Sequence, residues 1–339
     1  MPVTVKDIAQ RLGVSHSTVS RALNHSPLIS EEVAGRVRKL AYEMGYFPSA
    51  AARTLKTRRS RVLGVILPSL EDPFFSEILQ GIEEGVQDSG YSLFISAAHR
   101  NPGRERGIVQ AMVERSAEGV IVCSTSFSEE QSSQFLQYGV PVVVVNNQAA
   151  EDFRWSIYHD DVDGSRQVTR HLIELGHRRT AYIGSSRSGR SNEDRLTGFQ
   201  KELAAAGLPL REEYIQAAAG GGPADGARAV EQLLSLPVPP TAFVCYNDMM
   251  AIGALRALQE HGLRVPEQVS LTGFDNITFS AYTNPPLTTF DQPKRFIGAE
   301  ASRLMLELLN DPPGGPVQPH VRILQGRLLV RGSTSTPAA

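Results

Sequence analysis

The chain has 339 residues, 41% of them apolar and 21% charged, with a formal net charge of -2 at pH 7. These values exclude a disordered or fibrous protein and leave room for two or three folded units. No run approaches the roughly 18 consecutive apolar residues of a membrane span, and MPVTVKDIAQ has no basic segment followed by an apolar one, so no membrane partner and a cytoplasmic location are expected. The near-neutral total conceals a split: through Arg61 the balance is +7, and beyond it -9. A basic head of this kind suits a polyanion, and the acidic body suits another task.

Apolar Val5, Ile8, Ala9 and Leu12 recur at helical spacing, with Thr4 and Asp7 placed as an N-terminal cap. Gly13 supplies a tight turn, Ser15 caps a second helix, and Val19, Ala22 and Leu23 form that helix's inner stripe. Its other face carries His16, Ser17, Thr18 and Arg21. A third helix opens at Ser30, buries Val33, Val37, Leu40 and Ala41, and stops at Gly45. Two short helices with a glycine turn, braced by a third, spell helix-turn-helix over residues 1–46. A second helix in a major groove presents short polar groups near its start and a guanidinium further on, and His16, Ser17 and Arg21 fit that need. Arg21 suits either a two-pronged guanine contact or a phosphate contact. Thr4, Ser15, Thr18 and Asn24 are placed for phosphate or capping duty.

The segment from Val3 to Leu55, with Gly45–Pro48 and AAARTL, resembles the DNA-binding head and hinge of the lactose repressor/galactose repressor family. The resemblance implies that residues 47–61 form a hinge and linker. Its short helix would fold in the minor groove with Leu55 as the wedge and Ala52 and Arg53 beside it. One and a half turns cannot stand alone in water, so that helix is conditional on DNA.

From Val62 the pattern changes to short apolar runs, VLGVIL, YSLFI, GVIVC, PVVVVN, TAYIG, TAFVCY and VSLTGF, separated by amphipathic segments. Alternation of this kind predicts an α/β body of two doubly wound parallel-sheet subdomains. The expected boundaries are 62–332 for the effector-binding and dimerisation domain, with 62–160 and 291–319 in one subdomain and 161–290 and 320–332 in the other, then a disordered tail over 333–339. Two such sheets place their strand-to-helix loops around a cleft. Those loops are Pro68–Phe75, Ser124 and Thr125, Asn146 and Asn147, Ser185–Arg195, Asn247 and Asp248, and Phe274–Asn276.

The family resemblance extends over DPFF, LGHRRTAYIG, DRLTGF, CYNDMMAIGAL, SLTGFDN and PPLTTFDQP, and implies a body like periplasmic sugar-binding proteins. It points to Arg195 as a bidentate anchor, Asn247 and Asp275 as hydrogen-bond partners, Phe74 as a stacking wall, and Asn146 and Gln292 as further polar contacts. Ser124 joins them from its loop. Where many relatives carry an aromatic after the seventh strand, this chain has AAAGGGPADG, which implies an open wall there and a ligand that is bulkier or held differently. Arg187 and Arg190 near the pocket mouth suit either an anion or ordinary solvent exposure.

Cys123 and Cys245 close apolar runs and are expected as buried reduced thiols. No nucleophile elbow, Walker lysine or metal-spaced His/Cys/Asp cluster occurs, so no cofactor and no enzyme activity are expected. The expected function is a ligand-responsive, sequence-specific transcriptional regulator. It would repress by binding double-stranded palindromic operator DNA as a homodimer, with a sugar or related metabolite as effector. The rival is a cytosolic sugar-binding sensor with no DNA role.

Overall fold

Capping chemistry and apolar spacing coincide at the first two helices of the head, while the third has the spacing without a side-chain cap. The computed structural model describes residues 3–24, 26–46, 59–99, 101–123, 128–146, 155–310 and 320–338. Helix α1 (Val5–Leu12) starts at Thr4, whose hydroxyl accepts from the Asp7 amide while the Asp7 carboxylate accepts from the Thr4 amide. It ends at Gly13, whose φ of 66° lies in the left-handed region. Helix α2 (His16–Leu23) is capped by Ser15, and α3 (Glu31–Glu43) follows Ser30. Ile8, Val19, Ala22 and Val37 are fully buried between them. Each of the larger three contributes about 1.5–3 kcal/mol by leaving water. The chain divides into two compact units between Ser60 and Arg61, next to the point where its charge balance changes sign.

In the body, one sheet contains β1 (Val62–Leu67), β2 (Ser92–Ala97), β3 (Gly119–Cys123), β4 (Val142–Val145), β5 (Trp155–His159) and β11 (His320–Leu324), in the spatial order β11-β5-β4-β3-β1-β2. All its pairings are parallel. The other contains β6 (Thr180–Ser185), β7 (Ile215–Ala218), β8 (Ala242–Cys245), β9 (Ser270–Asp275), β10 (Thr288–Asp291) and β12 (Arg327–Leu329), in the order β12-β10-β9-β8-β6-β7. Here β12 is the exception, antiparallel to β10 at the sheet's edge. Strands β3, β4, β6, β8 and β9 are buried throughout, as continuous apolar runs covered on both faces should be.

Helices α4 (Pro73–Val86), α5 (Pro102–Glu114), α6 (Glu129–Gln137) and α11 (Lys294–Asn310) accompany the first sheet. Helices α7 (Asp161–Glu174), α8 (Gly189–Ala205), α9 (Pro223–Leu234) and α10 (Asp248–Glu260) accompany the second. Gly81 and Gly298 let α4 and α11 touch backbone to backbone, since a Cβ at Gly81 would strike the Arg295 carbonyl and one at Gly298 the Ile78 carbonyl.

The chain crosses between the sheets after β5, after β10 and after β11. The third crossing corrects the expected boundary: His320–Leu324 was assigned to the second subdomain, but pairs in register with Trp155–His159 of the first. Its Leu324 is buried in the first sheet's core, which draws the strand there. The tail is a second correction. Rather than disordered, Ser333 donates to Leu271 O and accepts from the Thr288 amide, at 2.6 and 2.8 Å. Ser335 O lies 3.0 Å from Nε2 of buried His177. These contacts bind the tail to the starts of β9 and β10, so residues 333–335 have hydrogen-bond partners that a solvated tail lacks.

Candidate functional site

Two surfaces carry the residues singled out in the sequence. On the head, α2 is only two turns long, and its exposed face holds His16, Ser17 and Arg21. Ser15 Oγ accepts from the Thr18 amide at 3.0 Å and lies 2.7 Å from Ser17 Oγ and 2.8 Å from Thr18 Oγ1. Asn24 Nδ2 donates to Ser20 O at 2.7 Å, closing the helix. Thr4, Ser15 and Asn24 therefore have capping duty, and Ser17 is drawn into the Ser15 hydroxyl cluster. The positions named for the hinge, Ala52, Arg53 and Leu55, lie outside the described residues, as does Ser124.

In the body, a cavity forms between the carboxyl ends of the two sheets. It is lined by Phe74, Asn146, Arg195, Asn247 and Asp275 of the expected set, and by Pro68, Asp72, Phe75, Ser188 and Tyr246. Its free space, about 20 Å³, holds about one water. Phe74 comes from the first turn of α4, where Asp72 caps the helix, and packs edge-on against Phe75 at 5.0 Å. Asn146 ends β4 with φ 57°, a left-handed conformation that Asn tolerates. The residue is buried, and its Oδ1 has no hydrogen-bond partner among the described residues. Asn247 caps α10, accepting from the Met250 amide at 2.8 Å, and its Nδ2 donates to Gly221 O at 3.1 Å. It therefore holds its helix and lines the cavity at once.

Arg195 organises the floor. Its Nε donates to Asp161 Oδ1 at 2.6 Å and its Nη1 to Tyr246 O at 2.5 Å, while Asp275 Oδ1 lies 3.5 Å from Nη1. The guanidinium carbon stands 3.9 Å from the centre of the Phe274 ring and 4.4 Å from that of Tyr246. Burial disfavours the Asp161 carboxylate, but Arg195 and His159, whose Nε2 is 3.0 Å away, outweigh it and leave its pKa at about 2. Asp275 has the opposite fate: burial raises it well above the ordinary carboxylate range, against the pull of Arg195.

Asp275 also has a φ of 112°, outside the usual range for a side-chain-bearing residue. It is braced by Gln292, whose Nε2 donates to Oδ1 at 2.6 Å, and by Lys294, whose Nζ donates to its main-chain oxygen at 2.5 Å. Gln292 thus positions Asp275 and is not among the residues lining the cavity. Lys294 also lies 3.5 Å from Glu77 on α4, tying the start of α11 to the end of β9 across the two sheets. Arg190 pairs with Asp194 at 3.0 Å, and neither Arg187 nor Arg190 lines the cavity.

Asp161, Tyr246 and Lys294 were not singled out from sequence. Their partners are remote in the chain and no local spacing marks them. Both cysteines are free and buried, with the Cys123 thiol pushed up to about 12 by burial. Among the described residues, no group of three or more His, Cys, Asp or Glu is arranged to hold a metal, and no helix is long and apolar enough to cross a membrane.

A small head with a helix-turn-helix, joined in one chain to a two-sheet body with a cleft, defines a ligand-responsive DNA-binding regulator. Bacterial regulatory proteins of the lacI family match residues 4–49, and the periplasmic binding protein-like domain matches residues 169–334. The HTH-type transcriptional repressor CytR of Escherichia coli K12 is 36% identical over 333 residues, covering 98% of this chain and 96% of its own. The repressor PurR of Escherichia coli O139:H28 is 34% identical over 333 residues, covering 97% of each. Among solved structures, the Lac repressor dimer bound to operator and the anti-inducer ONPF superposes with a TM-score of 0.87 at 27% identity. That match covers 99% of this chain and 100% of the other. The regulator CelR in complex with cellobiose gives 0.73 at 26% identity, covering 98% and 99%. The chain belongs to the lacI family of bacterial transcriptional regulators, and its relatives are repressors, not enzymes.

Proposed function

We propose that this regulator represses transcription in the cytoplasm by binding a palindromic operator as a homodimer, and that a neutral sugar or related metabolite in the cleft sets its DNA affinity. The observation that carries the reading is the pairing of an exposed His16, Ser17 and Arg21 face with a cleft whose buried acceptor, Asn146 Oδ1, has no partner among the described residues. Ligand hydroxyls are the natural partners of such an acceptor.

Dimerisation is supported by the dimeric state of the Lac repressor neighbour and by Phe279 and Tyr282, which expose 58% and 81% of their surface beside the short turn Thr278–Ala281. The mechanism is linkage. The cavity walls come from both sheets, three chain crossings connect those sheets, and a ligand that prefers one spacing of the walls shifts the population of that spacing. Full switching needs about 5.5 kcal/mol of differential binding.

The test is selection of bound duplexes from a random pool, followed by titration at two salt concentrations with and without candidate sugars. Two inverted half-sites, an affinity that falls with salt, and a ligand-dependent shift are expected. A salt-independent interaction, or asymmetric single sites bound by a monomer in light scattering, would overturn the reading.

A further inference from the structure

Arg61 is the first residue of the body's compact unit and is exposed to solvent, yet its amide, its carbonyl and its guanidinium are all engaged. The amide donates to Glu118 Oε1, the main-chain oxygen accepts from the Ser92 amide, and Nη1 donates to Ser89 O, each at 2.8 Å. The guanidinium carbon stands 5.5 Å from the centre of the Tyr91 ring, and the Tyr91 hydroxyl donates to Glu118 Oε2 at 2.8 Å, which closes a ring of contacts. Gly90 lies between Ser89 and Tyr91 with φ 73°, and a Cβ there would come within 3.3 Å of Nη1. Arg61 itself has φ 58°, a left-handed conformation that is uncommon for a residue with a side chain and persists where the surroundings hold it.

The partners stand at the amino ends of three neighbouring strands. Arg61 precedes β1, Ser89 and Tyr91 precede β2, and Glu118 precedes β3, in the spatial order β3-β1-β2. Parallel ladder pairing accounts for the Ser92 bond alone; the Glu118, Ser89 and Tyr91 contacts are additional, and all of them fall on one residue. From there β1 runs six residues, about 20 Å, with Leu63, Val65, Ile66 and Leu67 buried, and delivers Pro68 to the cavity wall. The direction of the chain at Arg61 is thus tied to the first sheet, and the first sheet to the cleft.

We propose that Arg61 determines how strictly the spacing of the operator half-sites is read: it clamps the chain in one direction where the body begins, in each protomer of the dimer. The inference rests on the reading of a homodimer on a palindrome and adds what makes the spacing strict. Arg61 contacts no base in this scheme and is a positioning residue. A half-site displaced from its proper separation can be reached only by turning the chain where it joins the body, and at Arg61 that turn breaks the contacts with Glu118, Ser89 and Tyr91 together. Each contact is modest alone, as exposed hydrogen bonds are, but the three are lost in one motion.

The test is titration of the full chain, by fluorescence anisotropy, with three labelled duplexes: the selected operator, the same operator with one base pair inserted at its centre, and a duplex carrying a single half-site. Wild type should bind the inserted operator about a hundredfold more weakly than the selected one, because the insertion changes both the separation and the facing of the half-sites. Arg61→Gly suits a φ of 58° and removes only the guanidinium, so its penalty should fall to about tenfold. Glu118→Ala removes the acceptor of the Arg61 amide and should relax the spacing in the same way, which keeps the test open if the glycine variant misfolds. Glu118→Gln can still accept from that amide and donate to the Tyr91 oxygen, and should keep the wild-type penalty within about threefold. All four proteins should bind the single half-site within about twofold of one another, whereas a variant with a merely weakened fold would lose affinity there as well.

An undiminished penalty in Arg61→Gly and Glu118→Ala would overturn the inference. So would equal relaxation in Glu118→Gln and Glu118→Ala, or losses on the single half-site as large as those on the selected operator. Wild type that bound the single half-site as tightly as the operator would instead sink the palindrome reading, and the clamp's role with it.

Discussion

The head and the cleft hold their functional side chains in opposite ways. On the head, every hydrogen bond that shapes the reading surface is local: Thr4 with Asp7, Ser15 with Thr18 and Asn24 with Ser20 are three or four residues apart. In the cleft, Arg195 meets Asp161 and Tyr246 across 34 and 51 residues, and Gln292 meets Asp275 across 17. The reading surface is therefore set by two turns of helix and their caps, whatever the body does. The Arg195 network exists only when the second sheet is assembled, and the cleft only when Pro68, Phe74 and Asn146 of the first sheet stand opposite it.

The largest effect expected from this difference is at Arg195. Arg195→Ala leaves Asp161 buried without its main cation, and loss of one partner from a buried pair costs about 3–5 kcal/mol. Urea unfolding should show that loss in the body. A loss below about 1 kcal/mol would mean the cleft is as locally held as the head.

Next comes pH. Burial pushes Asp248 up to about 7, against hydrogen bonds from Thr289 and the Ile277 amide. The folded chain thus keeps this proton more tightly than the unfolded chain, where the ordinary value is 3.8. Its contribution is full below about pH 4 and is lost as pH rises through 7, by at most about 1.4 kcal/mol per pH unit. Asp248→Asn can accept from the Ile277 amide and donate to the Thr289 hydroxyl, so it should flatten the fall in melting temperature between pH 5 and 8. An unchanged slope would transfer the titration to Asp275.

On the head the effects are smaller. Arg21→Ala should cost about 1–3 kcal/mol at the selected operator and little on random duplexes; equal losses on both would make Arg21 a phosphate contact. Ser15→Ala removes the cap of α2 and should lower the head's stability by about 1 kcal/mol, read from its melting by circular dichroism. If that single change also altered ligand titrations of the cleft, the independence of the two regions would be broken.

The same contrast explains what was legible in the sequence. The three head helices were readable because their caps, stripes and glycine stop signals lie within a few residues of one another. The α/β body was readable from its apolar runs, and Arg195, Asn247 and Asp275 from motifs. Strands β5, β10, β11 and β12 carry no such run: WSIYH, TTFD, HVRIL and RLL mix polar and apolar residues. These are the segments that flank the crossings, and it is the third, beside HVRIL, whose expected boundary the structure corrects. Asp161 was hidden for a related reason. It opens α7 like any first-turn acid, and only the approach of Arg195 from α8 makes it part of the cleft. Gln292 was singled out as a ligand contact, whereas the structure turns it toward Asp275.

The third crossing has a bearing on how the molecule is made. Strand β12 and the Ser333 to Ser335 contacts seal the edge beside β10, Leu271 and His177, yet they leave the ribosome after every other strand of that sheet. A nascent chain can complete the head's three helices early, because among the described residues their shared core is drawn from positions between Val3 and Tyr46. The sensing half has to wait for its last ten or so residues, so synthesis passes through an interval in which a DNA-reading element precedes any means of controlling it.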